Sequence, residues 1–343
     1  MLFLKIPRKQ AEKIRRELVE AGIFENDYPI TSEGDFVLFP VSGPFKKFEL
    51  IEREAQKREK PTRSLAAALR GILTEKELEI LTTSFDLIGD IAIVEIPPGL
   101  EPKEKQIGEA LLDVHRNLKT ILKKLGPMEG EYRVRRVKCI AGEDRTTTIY
   151  KESGVAMELD VAKVYFSVRL SHERSRIAEL VKPKEKILAL FAGVGPFPLV
   201  IAKKQPTAKI VAIELNPEAV AFMKKNVERN RASNVEVVLG DAREIVLACY
   251  GGFADRVLMP LPKGAHDFLD VAFAGVKDGG IVHFYTFAGI EKPFDEAIAL
   301  AESKARDFGV KINVEGKRIV RPYSPQTVQV VLDLRAFKPL SNF

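Results

Sequence analysis

The chain has 343 residues, 45% of them hydrophobic, which is more than one ordinary core needs and enough to fill two or three. No apolar run is long enough to cross a bilayer, and Met1-Leu2-Phe3-Leu4-Lys5 lacks a long apolar core and a cleavage site, so a globular cytoplasmic protein with no membrane partner is expected. The net charge of +6, from 54 basic and 48 acidic residues, tolerates a polyanionic partner without resembling a dedicated nucleic-acid tail. A charged fraction of 30%, rich in Lys and Glu and without Trp, also fits the surface ion-pair networks of a thermophile. Cys139 and Cys249, far apart and outside any motif, are expected to be ordinary buried thiols, with no disulfide and no metal site.

In chain order, the first element is a helix with Ala11, Ile14 and Leu18 on one face, stopped at Gly22, and then a hairpin in which Phe36-Val37-Leu38-Phe39 follows the turn Glu33-Gly34-Asp35. The charged stretch Glu52 to Pro61 has little to bury and reads as a linker or exposed helix. From about Ser64 to Ser153 a second mixed unit carries the strand pair Phe85–Ile88 and Ile91–Val94 about Gly89-Asp90, and a long amphipathic helix through Leu111, Leu118 and Ile121. Strands Thr147–Tyr150 and Val155–Leu159 flank Ser153-Gly154.

From Ser171 the pattern becomes helices alternating with short apolar strands, which predicts a parallel sheet covered on both faces. The strands are Ile187–Phe191, Ile210–Ile213, Val235–Leu239, Arg256–Met259 and Gly280–Phe284, with Arg318–Arg321 and Val328–Leu334 closing the sheet as an antiparallel pair around Tyr323-Ser324-Pro325. The expected domains are therefore 1–60, 61–158 and 159–343: two small α+β RNA-binding domains before an α/β, Rossmann-like domain.

The first of those parallel strands runs into Phe191-Ala192-Gly193-Val194-Gly195-Pro196, a loop whose backbone admits a ligand closely at a helix N-terminus. A dinucleotide fingerprint requires a third glycine where this chain has Pro198, so the methyltransferase version of the loop fits better than the nicotinamide one. Glu214, at the end of the second strand and next to Leu215, is placed to accept both hydroxyls of a ribose, while Asn216-Pro217 start the following helix. Asp241, next to Ala242, follows the third strand and is placed to accept from an adenine amino group. Each acid alone is as readily a loop acid or helix cap, but three features at strand C-terminal ends fall on the edge where open parallel sheets bind ligands. S-adenosylmethionine is the cofactor expected.

Taken together, Tyr132-Arg133-Val134-Arg135, Ala141-Gly142-Glu143-Asp144-Arg145-Thr146, Asp160 to Ser167, His172-Glu173-Arg174 and Phe191 to Phe197 resemble the archaeal and eukaryotic tRNA (guanine-37-N1)-methyltransferases over essentially the whole chain. The resemblance implies a class I methyltransferase domain and tRNA as substrate. It further implies Glu173 as general base, Arg133 as the donor to O6, Tyr165 packed on the target base, and Arg174 reaching cofactor or substrate. The chemistry asks for such groups, because guanine N1 holds a proton at neutral pH and becomes a nucleophile only as a base removes it and charge builds on O6. Without the resemblance, Glu173 is an ordinary first-turn acid favoured by the helix dipole, Arg133 part of a basic face on a strand, and Tyr165 a core residue.

Two positions depart from the usual pattern. Ala189 stands where many methyltransferases place an acid facing the cofactor, and after the fourth strand Pro260-Leu261-Pro262-Lys263 replaces an Asn or Asp two residues before Pro. Pro260 offers no polar side chain, so hydrogen bonds to the base there fall to the carbonyls of Met259 or Pro260, with Pro262 shaping the pocket wall. Lys9, Lys13 and Arg15 are expected to touch the tRNA body, and Arg135, Arg136 and Lys138 the anticodon stem-loop, with the protein acting as a monomer. The alternatives are a wyosine-pathway transferase acting at the same tRNA position and a non-catalytic RNA-binding protein.

Overall fold

Leu4 and Ile6 alternate along the first strand and are completely buried, with Ile14 and Leu18 of the first helix packed on them. In the computed structural model, which describes residues 1–57, 64–128, 130–261 and 263–338, the chain divides into two compact units, Met1–Ala68 and Leu69–Phe343. The first holds β1 (Leu2–Pro7), α1 (Ala11–Glu20), β2 (Thr31–Glu33), β3 (Phe36–Val41), β4 (Glu49–Glu52) and the short α2 (Leu65–Ala68). Its sheet order is β2-β3-β1-β4. The expected helix and hairpin are present. The expected linker begins inside the sheet, since β4 runs to Glu52 and pairs with β1, a central strand not foreseen from the sequence. Arg58 to Pro61 lie outside the described residues.

The second unit begins with α3 (Glu75–Ile80), which a Thr74–Glu77 capping box starts. It continues with β5 (Asp86–Ile88), β6 (Ile91–Val94), α4 (Glu104–Val114), β7 (Thr120–Lys124) and β8 (Val137–Gly142), a sheet in the order β5-β6-β7-β8. The long helix expected through Ile121 ends at Val114. Ile121 and Leu122, side by side and both buried, belong to a central strand covered on both faces rather than to a helical stripe. Next come the hairpin β9 (Thr147–Glu152) and β10 (Val155–Asp160), so the boundary expected after residue 158 falls inside a strand of this unit.

The remainder is α5 (Ser171–Leu180), β11 (Lys186–Leu190), α6 (Pro196–Lys204), β12 (Lys209–Glu214), α7 (Pro217–Arg229), β13 (Val235–Leu239), α8 (Ala242–Cys249), β14 (Ala254–Met259), α9 (Leu269–Gly275), β15 (Val276–Gly289), α10 (Pro293–Asp307), β16 (Lys311–Ser324) and β17 (Thr327–Phe337). They form one seven-stranded sheet, β13-β12-β11-β14-β15-β17-β16, in which only β17 runs against its neighbours. Alternate residues face opposite layers: Ile187 and Ala189 meet α5, α6 and α7, whereas Leu188 and Leu190 meet α8, α9 and α10. This is the expected Rossmann-like, class I methyltransferase architecture. Among the described residues no helix is long and apolar enough to cross a membrane. Neither cysteine is buried as expected: Cys139 is half-buried beside its strand partners, and Cys249, the last residue of α8, is exposed.

Asn226, fully buried on α7, joins three parts of this unit. Its amide donates to the carbonyls of Glu158 (2.9 Å) and Val194 (3.1 Å), and its oxygen accepts from the Glu158 N–H (2.7 Å). Removing it leaves buried backbone groups unpaired, each costing about 1–3 kcal/mol. Asn226→Ala is expected to lower the unfolding free energy by about 2–4 kcal/mol, measured by denaturant titration; an unchanged midpoint and slope would refute this account.

Candidate active site

The loop after β11 is held open by its own backbone. Phe191, Gly193 and Gly195 all have positive φ, at 56°, 57° and 90°. For Phe191 that conformation is strained, and the ring is held by an edge-on contact with Phe268, centroids 4.9 Å apart. A side chain on Gly195 would press on Met223, with Cβ 3.0 Å from its Cγ. Pro196 then starts α6, whose first N–H groups face the loop.

Glu214 braces this loop from the end of β12. Its carboxylate accepts from the Gly193 N–H at 2.8 Å and from the Asn216 N–H at 2.8 Å. Burial pushes its pKa up, against the pull of backbone N–H groups of Asn216, Gly193 and Leu215. Asn216 caps α7 and Pro217 follows, as expected. Asp241 caps α8 by accepting from the Arg243 N–H at 2.6 Å, with Ala242 buried behind it. Glycine loop, Glu214, Leu215, Asp241 and Ala242 thus line one stretch of the sheet's C-terminal edge. Two carboxylates and a spread of close-approach backbone suit a nucleoside carrying an amino acid chain. Ala189 is buried in the sheet and contributes no polar group.

Arg133 and Tyr165 line one cavity, together with Asp86, Met128, Arg135 and Phe166. Arg133 is not on a strand as expected. It sits in a turn with φ of 51°, and β8 begins only at Val137. Among the described residues its guanidinium has no acidic partner, whereas Arg135 is paired with Asp86 at 3.4 Å and Lys138 with Glu104 at 2.9 Å. Tyr165 adjoins the glycine loop, its carbonyl 3.7 Å from where a Gly193 Cβ would lie. Lys9, Lys13 and Arg15 are exposed in the first unit.

Glu173 belongs to a second cluster. It is 2% exposed, in the first turn of α5. Oε1 accepts from Arg176 Nη2 (2.6 Å), Arg176 Nε (3.0 Å) and the Tyr285 hydroxyl (2.7 Å), while Oε2 has Arg176 Nε at 3.1 Å and Arg318 Nη1 at 3.7 Å. Arg176 reaches on to Asp333 (2.7 Å), Asp333 to His283 Nδ1 (2.6 Å), and His283 Nε2 to Arg256 (2.6 Å), which pairs with Glu185 at 3.0 Å. Because Arg256 can only donate, Nε2 accepts and Nδ1 carries the proton: His283 is neutral. Burial holds its pKa below the ordinary value despite Asp333. Burial also opposes the charge on Asp333, but His283 and Arg176 outweigh it and hold that carboxyl well below the usual range. Burial, then the Glu173 charge, push the Tyr285 phenol up. None of Arg176, His283, Tyr285 or Asp333 was singled out from sequence, since each takes its meaning from partners remote in the chain.

Arg174, expected to reach cofactor or substrate, is 1% exposed. It forms a two-pronged pair with Glu152 at the end of β9, donates to the Ser167 carbonyl at 3.0 Å and lies over the Phe166 ring. Pro260 is half-buried directly after β14, and Pro262 lies outside the described residues.

Residues 148–313 match the TRM5/TYW2 methyltransferase domain, residues 65–146 the TYW2 N-terminal domain and residues 4–49 the tRNA methyltransferase 5 N-terminal domain. The chain is 41% identical to the tRNA (guanine(37)-N(1))-methyltransferase Trm5b of Pyrococcus abyssi, over 97% of this chain and 98% of that one. A solved complex of aTrm5 with tRNALeu superposes with a TM-score of 0.71 at 35% identity, covering 98% of this chain and 99% of that one. A tRNA(Phe) (4-demethylwyosine(37)-C(7)) aminocarboxypropyltransferase of Pyrococcus horikoshii is 31% identical over 81% of this chain and 99% of its own.

A neutral buried histidine has a pH signature. Its folded pKa is depressed, so its contribution to stability is complete above the unfolded value of about 6.5 and is lost as pH falls below it, because the unfolded chain takes up the proton first. The melting temperature is expected to fall between pH 7 and pH 5. His283→Gln should lower it at pH 7 and flatten that slope, as read by calorimetry across the range; a variant with the wild-type slope would place the acid sensitivity elsewhere.

Proposed function

We infer the activity from one premise: the chain belongs to the TRM5/TYW2 family of methyltransferases. It transfers the methyl group of S-adenosylmethionine to N1 of guanosine 37 in tRNA, giving 1-methylguanosine, and acts as a monomer in the cytoplasm. The observation that carries this reading is the match along nearly the full length of the Trm5b relative, including residues 4–49. The aminocarboxypropyltransferase relative is matched almost to its ends yet spans only 81% of this chain.

In this reading Phe191, Gly193 and Gly195 bring backbone to the cofactor, Glu214 accepts from its ribose, Asp241 from its adenine amino group, and Leu215 and Ala242 wall the adenine. When bound, the cofactor supplies an electrophilic methyl on a positively charged sulfur. The protein's task is to make guanine N1 a nucleophile. Glu173 takes the N1 proton, and Arg176 orients that carboxylate through its hydrogen bonds. Oε2 is the oxygen that serves, because Oε1 already accepts three hydrogen bonds. Arg318, half-exposed and only loosely paired with Oε2, is the side chain that must yield for the base to reach it. Arg133, with no acid to satisfy among the described residues, stabilises the charge growing on O6, and Tyr165 packs on the base. Carbonyls of Met259 or Pro260 hold the base edge. Arg174 acts through structure, fixing the end of β9 to α5. Lys9, Lys13 and Arg15 meet the tRNA body, and Arg135, Arg136 and Lys138 the anticodon stem-loop.

Incubating the protein with labelled S-adenosylmethionine and an unmodified tRNA bearing guanosine 37, then digesting the RNA for mass spectrometry, should yield 1-methylguanosine. An aminocarboxypropyl adduct or no transfer would overturn the reading. Glu173→Gln should lower kcat by roughly 10²–10⁴-fold, the usual worth of a general base, with cofactor affinity by equilibrium dialysis unchanged; a wild-type rate would remove Glu173 from the base role.

A further inference from the structure

On the sheet face where Tyr285 meets Glu173 of α5, the side chains of β15, β17 and β16 stand in rows. Tyr285, Val331 and Arg318 form one row by register, and Phe287, Gln329 and Arg321 the next, one step further toward the C-terminal edge. Tyr323 leans over that second row, its ring 4.3 Å from Phe287 at an interplanar angle of 39°, with the Arg321 guanidinium 6.0 Å from its centroid. Tyr323 is 60% exposed and Phe287 half-buried, so the aromatic pair has one open side.

Gln329 is completely buried beneath them. Its Oε1 accepts from Arg321 Nε at 2.8 Å, which fixes the amide orientation, because the reverse would set two donors against each other. Its Nε2 is the one buried side-chain nitrogen or oxygen without a hydrogen-bond partner among the described residues. An orphaned buried donor costs about 1–3 kcal/mol and calls for an acceptor.

Resting on the proposed activity, we propose that Phe287, Gln329, Arg321 and Tyr323 form a subsite for the unpaired nucleobase of the nucleotide flanking the target guanine. The base stacks on the open face of the Tyr323–Phe287 pair, Gln329 holds Arg321 in place through its Oε1, and Arg318 and Arg321 face the phosphate. Aromatic stacking beside guanidinium groups is the chemistry that holds single-stranded RNA. Position excludes the target base itself. At about 4.8 Å per strand, Gln329 on β17 is about 14 Å across the sheet from the glycine-loop strand β11, and Tyr323 on β16 about 19 Å. The target base is taken by Glu173 beside the Tyr285–Val331–Arg318 row, which leaves the Phe287–Gln329–Arg321 row to its neighbour. The adenine of the cofactor is excluded because Glu214 and Asp241 lie at the ends of β12 and β13, on the other side of β11.

The test is a cycle between protein and RNA. Tyr323→Ala, an exposed change that spares the core, and Gln329→Leu are assayed by steady-state methyl transfer to full-length tRNA and to tRNAs with an abasic site on either side of the target. Ile319→Ala, exposed on the opposite face of β16, serves as control. Tyr323→Ala should raise KM for tRNA by roughly 5- to 100-fold, the range for one lost base stack, with cofactor affinity unchanged. One of the two abasic tRNAs should impose a similar penalty on wild type and none further on Tyr323→Ala, whereas Ile319→Ala should behave as wild type toward every tRNA. Fully additive penalties, or wild-type kinetics in Tyr323→Ala, would overturn the subsite. Absence of transfer by the wild-type protein would instead refute the activity on which it rests.

Discussion

A largely buried chain of hydrogen bonds, Glu173–Arg176–Asp333–His283–Arg256–Glu185, runs across the sheet around the carboxylate proposed as the base, with charged groups on either side of a neutral histidine. It links α5 with β14, β15 and β17, so the carboxylate assigned to proton transfer is set by strands far away in sequence. Such networks rarely add net stability, because desolvation of the charges offsets most of the attraction between them. What this one supplies is definition. With every member hydrogen-bonded, α5 is tied to the sheet and Glu173 is held in one orientation.

The two halves of the proposed site are built on different principles. The cofactor half is backbone and caps: a loop of positive-φ residues, a brace from Glu214, and Asn216 and Asp241 starting helices. The substrate half is long side chains held by one another. That contrast explains why the first half was legible in the sequence. Glycine spacing, an acid closing a strand and Asn-Pro opening a helix are local signals. All seven strands of the large sheet were visible for the same reason, as short apolar runs between turn residues.

What the sequence concealed was either non-local or ambiguous in period. Ile121 fits a helical stripe as well as a buried strand, and only its pairing with Ala92 decides. Arg133 sits among alternating residues that suggest a strand, yet the chain turns there. The partner of Arg174, Glu152, lies 22 positions away in sequence and no spacing rule pairs them. His283, Tyr285 and Asp333 fall within runs that read simply as apolar strand. No spacing rule marks a polar residue whose partners come from a neighbouring strand.

The brace from Glu214 to the Gly193 N–H forms within the protein's own structure, so the loop owes its shape to folding. On the proposed assignment, a seat already made receives the methyl donor and its demethylated remnant alike, for the two share the groups that Glu214 and Asp241 would grip. Preference between them must then come from the methyl and the charge alone. A single carboxylate thus sets the shape of the loop before any ligand arrives.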